Sequence, residues 1–513
     1  MPEGIEINPQ FAEALRLMEE TGRNIFITGR AGTGKSTLLE YFRSITRKNI
    51  VVLAPTGVAA VNISGQTIHS FFGFRPDVTV DKVKKEAKKK ASPLYKNLDA
   101  IIIDEISMVR SDLLDCVDQF LRINGKTPGA PCGGIQMIFI GDLYQIPPVV
   151  TGPERQIFKE YYQSEYFFDA KVWPEMDCAF LELEKIYRQT DPAFIELLNK
   201  IRNKTVTAAD LEAINRRATC GGHKLPEGVI YLTTTNAMAE KRNQAELDRL
   251  PGKHHSFAAE ISGAVDQKYF PAEEVLHLKV GAQVMLLNND AEGRWVNGTI
   301  GTVSKIKKEG LSVTLLDGTT ETVKPFKWSI NRYYWDEKAR SVASETMGTF
   351  KQYPLKLAWA ITIHKSQGKT FDHVVIDLGR GAFAPGQLYV ALSRCRSLDG
   401  IYLQREVKES DIWLDWRVVK FLTGYQYQLS DKNMPLDEKV RLIRQAIESK
   451  SALEITYLKA ENEKTRRTVS PRSVRNMQYK GVSFLGMEAY CHTRGALRNF
   501  RVDRILEIHS ISR

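Results

Sequence analysis

Cysteine is scarce and scattered. The six residues (Cys116, Cys132, Cys178, Cys220, Cys395, Cys491) include no CxxC pair, which excludes a disulfide framework and the common zinc ribbons and fits reduced thiols. Long apolar runs are missing too: stretches such as Ile101 to Ile103 and Val284 to Leu287 fall far short of the roughly 18 to 20 residues that cross a bilayer. No membrane partner is therefore expected. Met1 to Gln10 holds two glutamates and no basic, apolar leader, so no secretory signal is read there. These absences together point to the cytoplasm.

What is present is ordinary globular composition, 43% apolar and 26% charged over 513 residues, which excludes a disordered or collagen-like chain. At about 100 to 200 residues per domain, three to five domains are expected. Lys and Arg exceed Asp and Glu by 11, a modest excess that favours a polyanionic partner without naming one. The excess is uneven, since Leu436 to Arg513 alone holds 16 Lys/Arg against 9 Asp/Glu.

Asn24 to Thr28 reads as a buried strand, Gly29-Arg30-Ala31-Gly32-Thr33-Gly34-Lys35-Ser36 as a loop, and Thr37 to Phe42 as a helix. The loop fits GxxxxGK[ST] in full: Gly29, Gly32 and Gly34 let backbone N–H groups approach phosphate oxygens, and the helix N-terminus faces them. Lys35 is expected to hold the β and γ phosphates of ATP, Ser36 to ligate Mg²⁺, and Thr37 to line the same site. Such a loop needs an acidic partner on a neighbouring strand, and Ala100 to Ile103 runs straight into Asp104 and Glu105. Asp104 is expected to bind Mg²⁺ through water, and Glu105 to orient and deprotonate the attacking water. A third apolar strand, Gln136 to Ile140, delivers Gly141-Asp142-Leu143-Tyr144-Gln145, where Gln145 is placed to report the γ-phosphate.

These three motifs in this order, with Val51 to Ala60 between the first two, resemble a superfamily-1 helicase. Pro131-Cys132-Gly133-Gly134-Ile135-Gln136 is similar to the signature segment of the Pif-one family of DNA helicases, with Cys132 where that family usually has Phe. Tyr187-Arg188-Gln189, Thr233-Thr234-Thr235-Asn236, Ala360 to Gly368 and Gln387 to Arg394 resemble its later motifs, so the likeness spans roughly residues 1 to 425. It implies an α/β fold of two RecA-like P-loop motor domains, 1–180 and 181–425, closing on ATP. Gln10 is then the adenine reader, Gly368 and Tyr389 are further nucleotide contacts, and Arg188 and Arg394 meet the charge that develops on the γ-phosphoryl.

The resemblance also implies 5′ to 3′ travel on single-stranded DNA and unwinding of duplex, forked or G-quadruplex DNA, in a nucleoid-associated setting in a prokaryote; a monomer is expected. Candidate DNA contacts are Pro55, Thr56, Val58, His69, Ser70 and Phe71 in lobe one, and Thr234, Asn236, Thr362, His364, Lys365 and Ser366 in lobe two. The family inserts a small wedge where this chain has Phe71 to Asn97, including the basic run Lys82 to Lys90. Short alternating strands with turns at Asn297-Gly298, Glu309-Gly310 and Asp317-Gly318 suggest a small β-barrel over 257–353.

Polar residues near 426–435 read as a linker. Beyond it, 436–513 resembles a WYL domain, mostly β, with Ser483-Phe484-Leu485 at the name-giving position. Arg467, Arg494, Arg498, Arg501 and Arg504, interleaved with Phe500, are the expected anion-binding cluster, and single-stranded DNA is its expected ligand. Two alternatives stay open. One is a DNA translocase that remodels protein–DNA complexes without separating strands. The other is a nucleotide-switched regulatory ATPase whose WYL domain senses an effector, although no helix-turn-helix is evident.

Overall fold

Uninterrupted apolar runs build the first sheet. The computed structural model describes residues 7–511 apart from 76, 151–153, 155–157, 159, 219–224, 264–266, 268–269, 308–309, 460–463 and 480, and apart from the side chains of 58, 61 and 62. In it β1 (Ile25–Gly29), β2 (Ile50–Ala54), β3 (Gln66–Thr67), β4 (Ala100–Ile103), β5 (Gln136–Gly141) and β6 (Ala179–Leu183) pair in parallel in the order β3-β2-β4-β5-β1-β6. Parallel strands covered on both faces need no polar alternation. Phe11, Leu38 and Phe42 from two helices bury against Ile25, Ile27 and Ile138. The expected lobe boundary at 180 is corrected by β6, which pairs with β1 as far as Leu183.

Between β3 and β4 the wedge segment is helical (Ile68–Phe72, Val80–Glu86, Pro93–Asn97). Val83 and Ala87 are buried while Lys82, Lys84, Lys85, Lys88 and Lys89 are exposed, so the basic run is largely a solvated helix face.

The second lobe opens with β7 (Ile230–Thr233). It is then interrupted by β8 (His255–Ala258), β9 (Glu260–Gly263), β10 (Val275–Leu278), β11 (Gln283–Leu286), β12 (Ile300–Lys307), β13 (Gly310–Leu315), β14 (Thr320–Val323), β15 (Phe326–Asp336), β16 (Ser341–Gln352) and β17 (Leu355–Leu357). β18 (Ala360–Thr362), β19 (Val374–Asp377) and β20 (Ile401–Leu403) complete a parallel sheet ordered β18-β7-β19-β20.

Within the insertion, an antiparallel sheet β14-β13-β12-β11-β17 encloses Val284, Val303, Val313 and Leu355. The expected end at 353 is thus extended by β17. The sequence reading of short strands missed the long β15–β16 hairpin, which pairs with β9 in a separate sheet. That hairpin reaches lobe one: Gln66 Nε2 donates to the Asn331 carbonyl, Val342 N to Asn49 Oδ1 at 3.2 Å, and Tyr333 lies edge-on to Phe71.

Residues 414–513, with 203–205, form a second compact unit. It holds the helices Trp416–Asn433 and Leu436–Glu448 and an antiparallel sheet of β21 (Leu453–Leu458), β22 (Lys464–Tyr479), β23 (Val482–Cys491), β24 (Ala496–Arg501) and β25 (Ile505–Ser510), ordered β24-β23-β22-β21-β25. The linker expected over 426–435 is mostly helix. Its polar residues misled because Gln426 and Ser430 are buried, and Ser430 Oγ donates to the Leu506 carbonyl at 2.8 Å. No helix among the described residues is long and apolar enough to cross a membrane.

Candidate active site and nucleic-acid interface

The loop after β1 is shaped by its glycines. Gly32 and Gly34 take φ of +82° and +83°, left-handed values that glycine adopts without the Cβ penalty. A Cβ on Gly32 would also lie 2.6 Å from the Arg188 Cβ, and one on Gly29 would lie 2.6 Å from Thr33 Oγ1. Gly34 caps the helix Lys35–Ile45, so that helix begins at the lysine. Lys35 Nζ donates to the carbonyls of Gly29 at 2.7 Å and Arg30 at 3.0 Å. Burial lowers its pKa, opposed by Asp142, Glu105 and Asp104. Ser36 and Thr37 are exposed, and Ser36, Asp104 and Glu105 line one cleft of about 640 Å³.

Asp104 and Glu105 stand where β4 ends. Burial raises both pKa values, and Asp104 reaches about 7 with the help of Glu105 beside it. Desolvation therefore outweighs the nearby cations at both carboxylates. Among the described residues no cluster of three His, Cys, Asp or Glu side chains can hold a metal ion. One hydroxyl and one carboxylate suit Mg²⁺ when a triphosphate supplies further oxygens, so Ser36 and Asp104 fit that ion as it arrives with its nucleotide.

Both arginines expected at the nucleotide site lie within electrostatic reach of Glu105. Arg188 follows Tyr187, whose N–H donates to the Gly32 carbonyl at 2.8 Å, and its Nη1 reaches the Ser393 carbonyl at 3.3 Å. Arg394 comes from lobe two, is 1% exposed, and donates to Val390 O at 2.9 Å, Ser393 Oγ at 2.8 Å and Ser366 O at 3.5 Å. These acceptors are all neutral, and burial with the nearby Arg188 brings the guanidinium down to about 9. Lys35, Arg394 and Arg188 all lower the pKa of Glu105, so cations from both lobes face that carboxylate.

Sequence reasoning missed the group that ties these parts together. Asp142, 0% exposed, accepts from Tyr144 N at 3.1 Å, Gln145 Nε2 at 3.3 Å and the Tyr389 hydroxyl at 3.3 Å, and Arg202 lies 3.9 Å away. Tyr389 OH also accepts from the loop amide of Ala31 at 3.0 Å. Tyr389 therefore touches the nucleotide loop at the backbone amide of Ala31. Gln145 Oε1 in turn accepts from Gln367 Nε2 of lobe two at 3.2 Å. A buried acid directly after a strand was the available signal for Asp142. Gln10 Oε1 accepts from Glu184 N at 2.9 Å, which places it beside the segment leading to Arg188, and Gly368 lines the cleft.

The DNA candidates divide. Thr56, His364 and Lys365 line the cleft, Asn236 is exposed at a helix start, and Pro55, His69 and Ser70 are half-buried; the Val58 side chain lies outside the described residues. Phe71 is corrected: it is 6% exposed and packs edge-on against Phe72, Tyr95 and Tyr333. Freeing it would forfeit about 1.5–3 kcal/mol of burial, as much as the roughly 1–3 kcal/mol that base stacking returns. Ser366 is also corrected, since it is fully buried and its hydroxyl donates to Ile363 O at 2.7 Å. Thr234 and Thr362 are buried as well, and Thr362 Oγ1 accepts from Lys365 N at 3.2 Å, holding that turn.

In the second unit the five arginines do not form one cluster. Arg467 stands opposite buried Ile455, with Nη1 3.9 Å from Cys491 Sγ. Arg494 is on an exposed turn, and Arg498 shares the strand face of Phe500, which is core and packs edge-on to Tyr457. That burial removes Phe500 as a stacking residue. Arg501 lies on the other face, 5.1 Å over Phe484, and is paired with Asp503 at 2.6 Å. Arg504 lies near Tyr427.

A glycine loop at one strand end, an acid pair at the end of another strand of the same sheet, and two arginines from the second half define a two-lobed P-loop nucleotide-binding fold. The chain matches the PIF1-like helicase family over residues 9–212, the 2B domain of DNA helicase Pif1 over 260–306, the UvrD-like helicase C-terminal domain over 357–398 and the WYL domain over 438–510. It is 34% identical over 411 residues to ATP-dependent DNA helicase Pif1 of Bdellovibrio bacteriovorus, covering 78% of this chain and 88% of that one. It is 37% identical over 410 residues to ATP-dependent DNA helicase PIF1 of Mus musculus, covering 77% of this chain but only 59% of the mouse protein. Among solved structures it resembles Bacteroides sp Pif1 in complex with ADP-AlF4 (TM-score 0.72, 34% identity, 83% of this chain and 98% of that one). It also resembles Bacteroides Pif1 bound to ssDNA (TM-score 0.60, 35% identity, 83% and 98%). The chain belongs to the PIF1-like helicase family.

Proposed function

We propose that this protein is an ATP-driven DNA helicase that moves 5′ to 3′ on single-stranded DNA and unwinds duplex, forked and G-quadruplex DNA at the nucleoid of a prokaryote, working as a monomer. One observation carries the reading most: Arg394, a buried lobe-two cation among neutral acceptors, faces the Lys35–Glu105 site of lobe one. Glu105 and Asp142 are the acids that offset part of the cost of burying it, and the γ-phosphate brings further negative charge to the same place.

Ser36 and Asp104 would hold Mg²⁺, which would supply charge neutralisation to the phosphate oxygens. Lys35 leaves the Gly29 and Arg30 carbonyls for the phosphates, and Glu105 orients water and takes its proton. Arg188 and Arg394 meet the charge that develops on the γ-phosphoryl. Losing that group removes what the two lobes share, and the Gln145–Gln367 link carries the change to the turn holding His364 and Lys365. In the tail, Arg494, Arg498 and Arg504 are the arginines that grip single-stranded DNA, Arg494 and Arg498 being exposed.

The test is strand displacement on 5′-tailed and 3′-tailed duplexes, run on the full chain and on a chain ending at Trp413. Displacement of the 5′-tailed duplex alone is expected. Displacement from 3′ tails would reverse the polarity, and none from either would favour a translocase that leaves strands paired. The shortened chain should bind oligo-dT more weakly and with a shallower salt dependence; an unchanged slope removes the tail from DNA binding.

A further inference from the structure

The helix Pro192–Arg202 buries Phe194, Leu197, Leu198 and Ile201, the stripe of an amphipathic helix, and the next position on that stripe is an arginine. Arg202 is 5% exposed. Arginine is rarely buried so fully unless something receives its charge, and here a ring and an acid do. Its Cζ lies 3.7 Å over the Tyr144 ring, and its Nη2 stands 3.9 Å from Asp142 Oδ1. Burial pulls its pKa down, but Asp142, Tyr144, Tyr389 and Glu182 outweigh that and raise it. Its Nε is buried with no hydrogen-bond partner among the described residues, an open donor of a kind that native interiors seldom keep without a use. The pair with Asp142 therefore has room to tighten.

Asp142 is the group through which Arg202 can act. One carboxylate oxygen accepts from Tyr144 N, while the other accepts from Gln145 Nε2 and the Tyr389 hydroxyl, both at 3.3 Å. Gln145 is the expected reporter of the γ-phosphate, and Tyr389 touches the nucleotide loop at Ala31. Lys35 and Arg394 also feel the charge of Asp142, but the reaction proposed above draws both of them to the phosphates. Arg202, stacked on Tyr144, has no phosphate to meet in that reaction. It is the cation that stays with Asp142 once a triphosphate is bound.

We propose that Arg202 is a positioning residue for ATP turnover: it holds the Asp142 carboxylate that orients Gln145 and Tyr389, and so sets how strongly the site distinguishes a nucleoside triphosphate from a diphosphate. This rests on the reading of Gln145 as the γ-phosphate reporter. It places the control of that reporter on a helix outside the nucleotide motifs.

Equilibrium binding of fluorescent ADP and of a fluorescent, non-hydrolysable ATP analogue to the full chain tests it. Arg202→Met should weaken the triphosphate analogue about tenfold, the low end for a hydrogen bond to a charged group, and leave ADP within about twofold of the wild type. Arg202→Lys, which keeps a charge at that position, should recover part of the loss. Asp142→Asn removes the group through which Arg202 acts, so adding Arg202→Met to it should cost no more than about twofold further, the signature of two residues working as one. An arginine that merely supports the fold would weaken both nucleotides together. Equal losses for the two nucleotides, no loss for either, no recovery with lysine, or an additive loss in the double variant overturns the proposal. If Arg202→Met alone does not fold, the double variant, which leaves no lone buried acid, is compared with Asp142→Asn and decides. Unchanged binding of the triphosphate analogue by Gln145→Ala would instead remove the reporter on which the proposal rests.

Discussion

Glu105→Gln lowers ATP turnover about 10²- to 10⁴-fold, the range for losing a positioned general base, while nucleotide binding persists. The amide keeps the size of the carboxylate and hydrogen-bonds water, yet it cannot accept the proton. Glu105 is also one of two adjacent buried acids whose pKa values burial raises, so removing its charge relieves repulsion of Asp104. ATP affinity should therefore hold or rise. Rapid-quench turnover beside equilibrium binding of a fluorescent ATP analogue separates these effects, and turnover within tenfold of the wild type would remove Glu105 from the role of base.

Arg394→Ala produces the second large loss, about 10³- to 10⁵-fold in DNA-stimulated turnover, the range for an arginine that meets transition-state charge. Its structural environment separates catalysis from folding. The guanidinium is buried among Val390 O, Ser393 Oγ and Ser366 O, with Glu105 and Asp142 offsetting part of its burial, so its removal sheds a desolvated charge while costing hydrogen bonds of about 1.5–3 kcal/mol each. Near-normal thermal unfolding with collapsed turnover is expected. Turnover retained within tenfold would show that lobe two supplies no charge to the chemistry.

The parts of the molecule legible in its sequence are those where one local pattern has one physical outcome. Ile101 to Ile103 are covered on both faces of a parallel sheet and read as a continuous apolar run ending in acids. What failed was whatever depends on distant partners. Ser430 has linker chemistry but is buried on a helix, and Phe71 and Phe500 look like stacking residues but complete hydrophobic cores. The Asp142 network joins residues 31, 142, 202 and 389, a meeting that no local spacing encodes. Glycines were legible for the opposite reason, because Gly32 and Gly34 answer a demand for positive φ made by their own loop.

The central claim is that ATP cleavage in lobe one and the hold on DNA across both lobes are one event. Steady-state ATP hydrolysis with and without oligo-dT tests this most directly. The account predicts a rate that rises at least tenfold with the oligonucleotide and vanishes in both conditions on Lys35→Ala; a rate indifferent to single-stranded DNA would contradict it and favour the nucleotide-switched regulator.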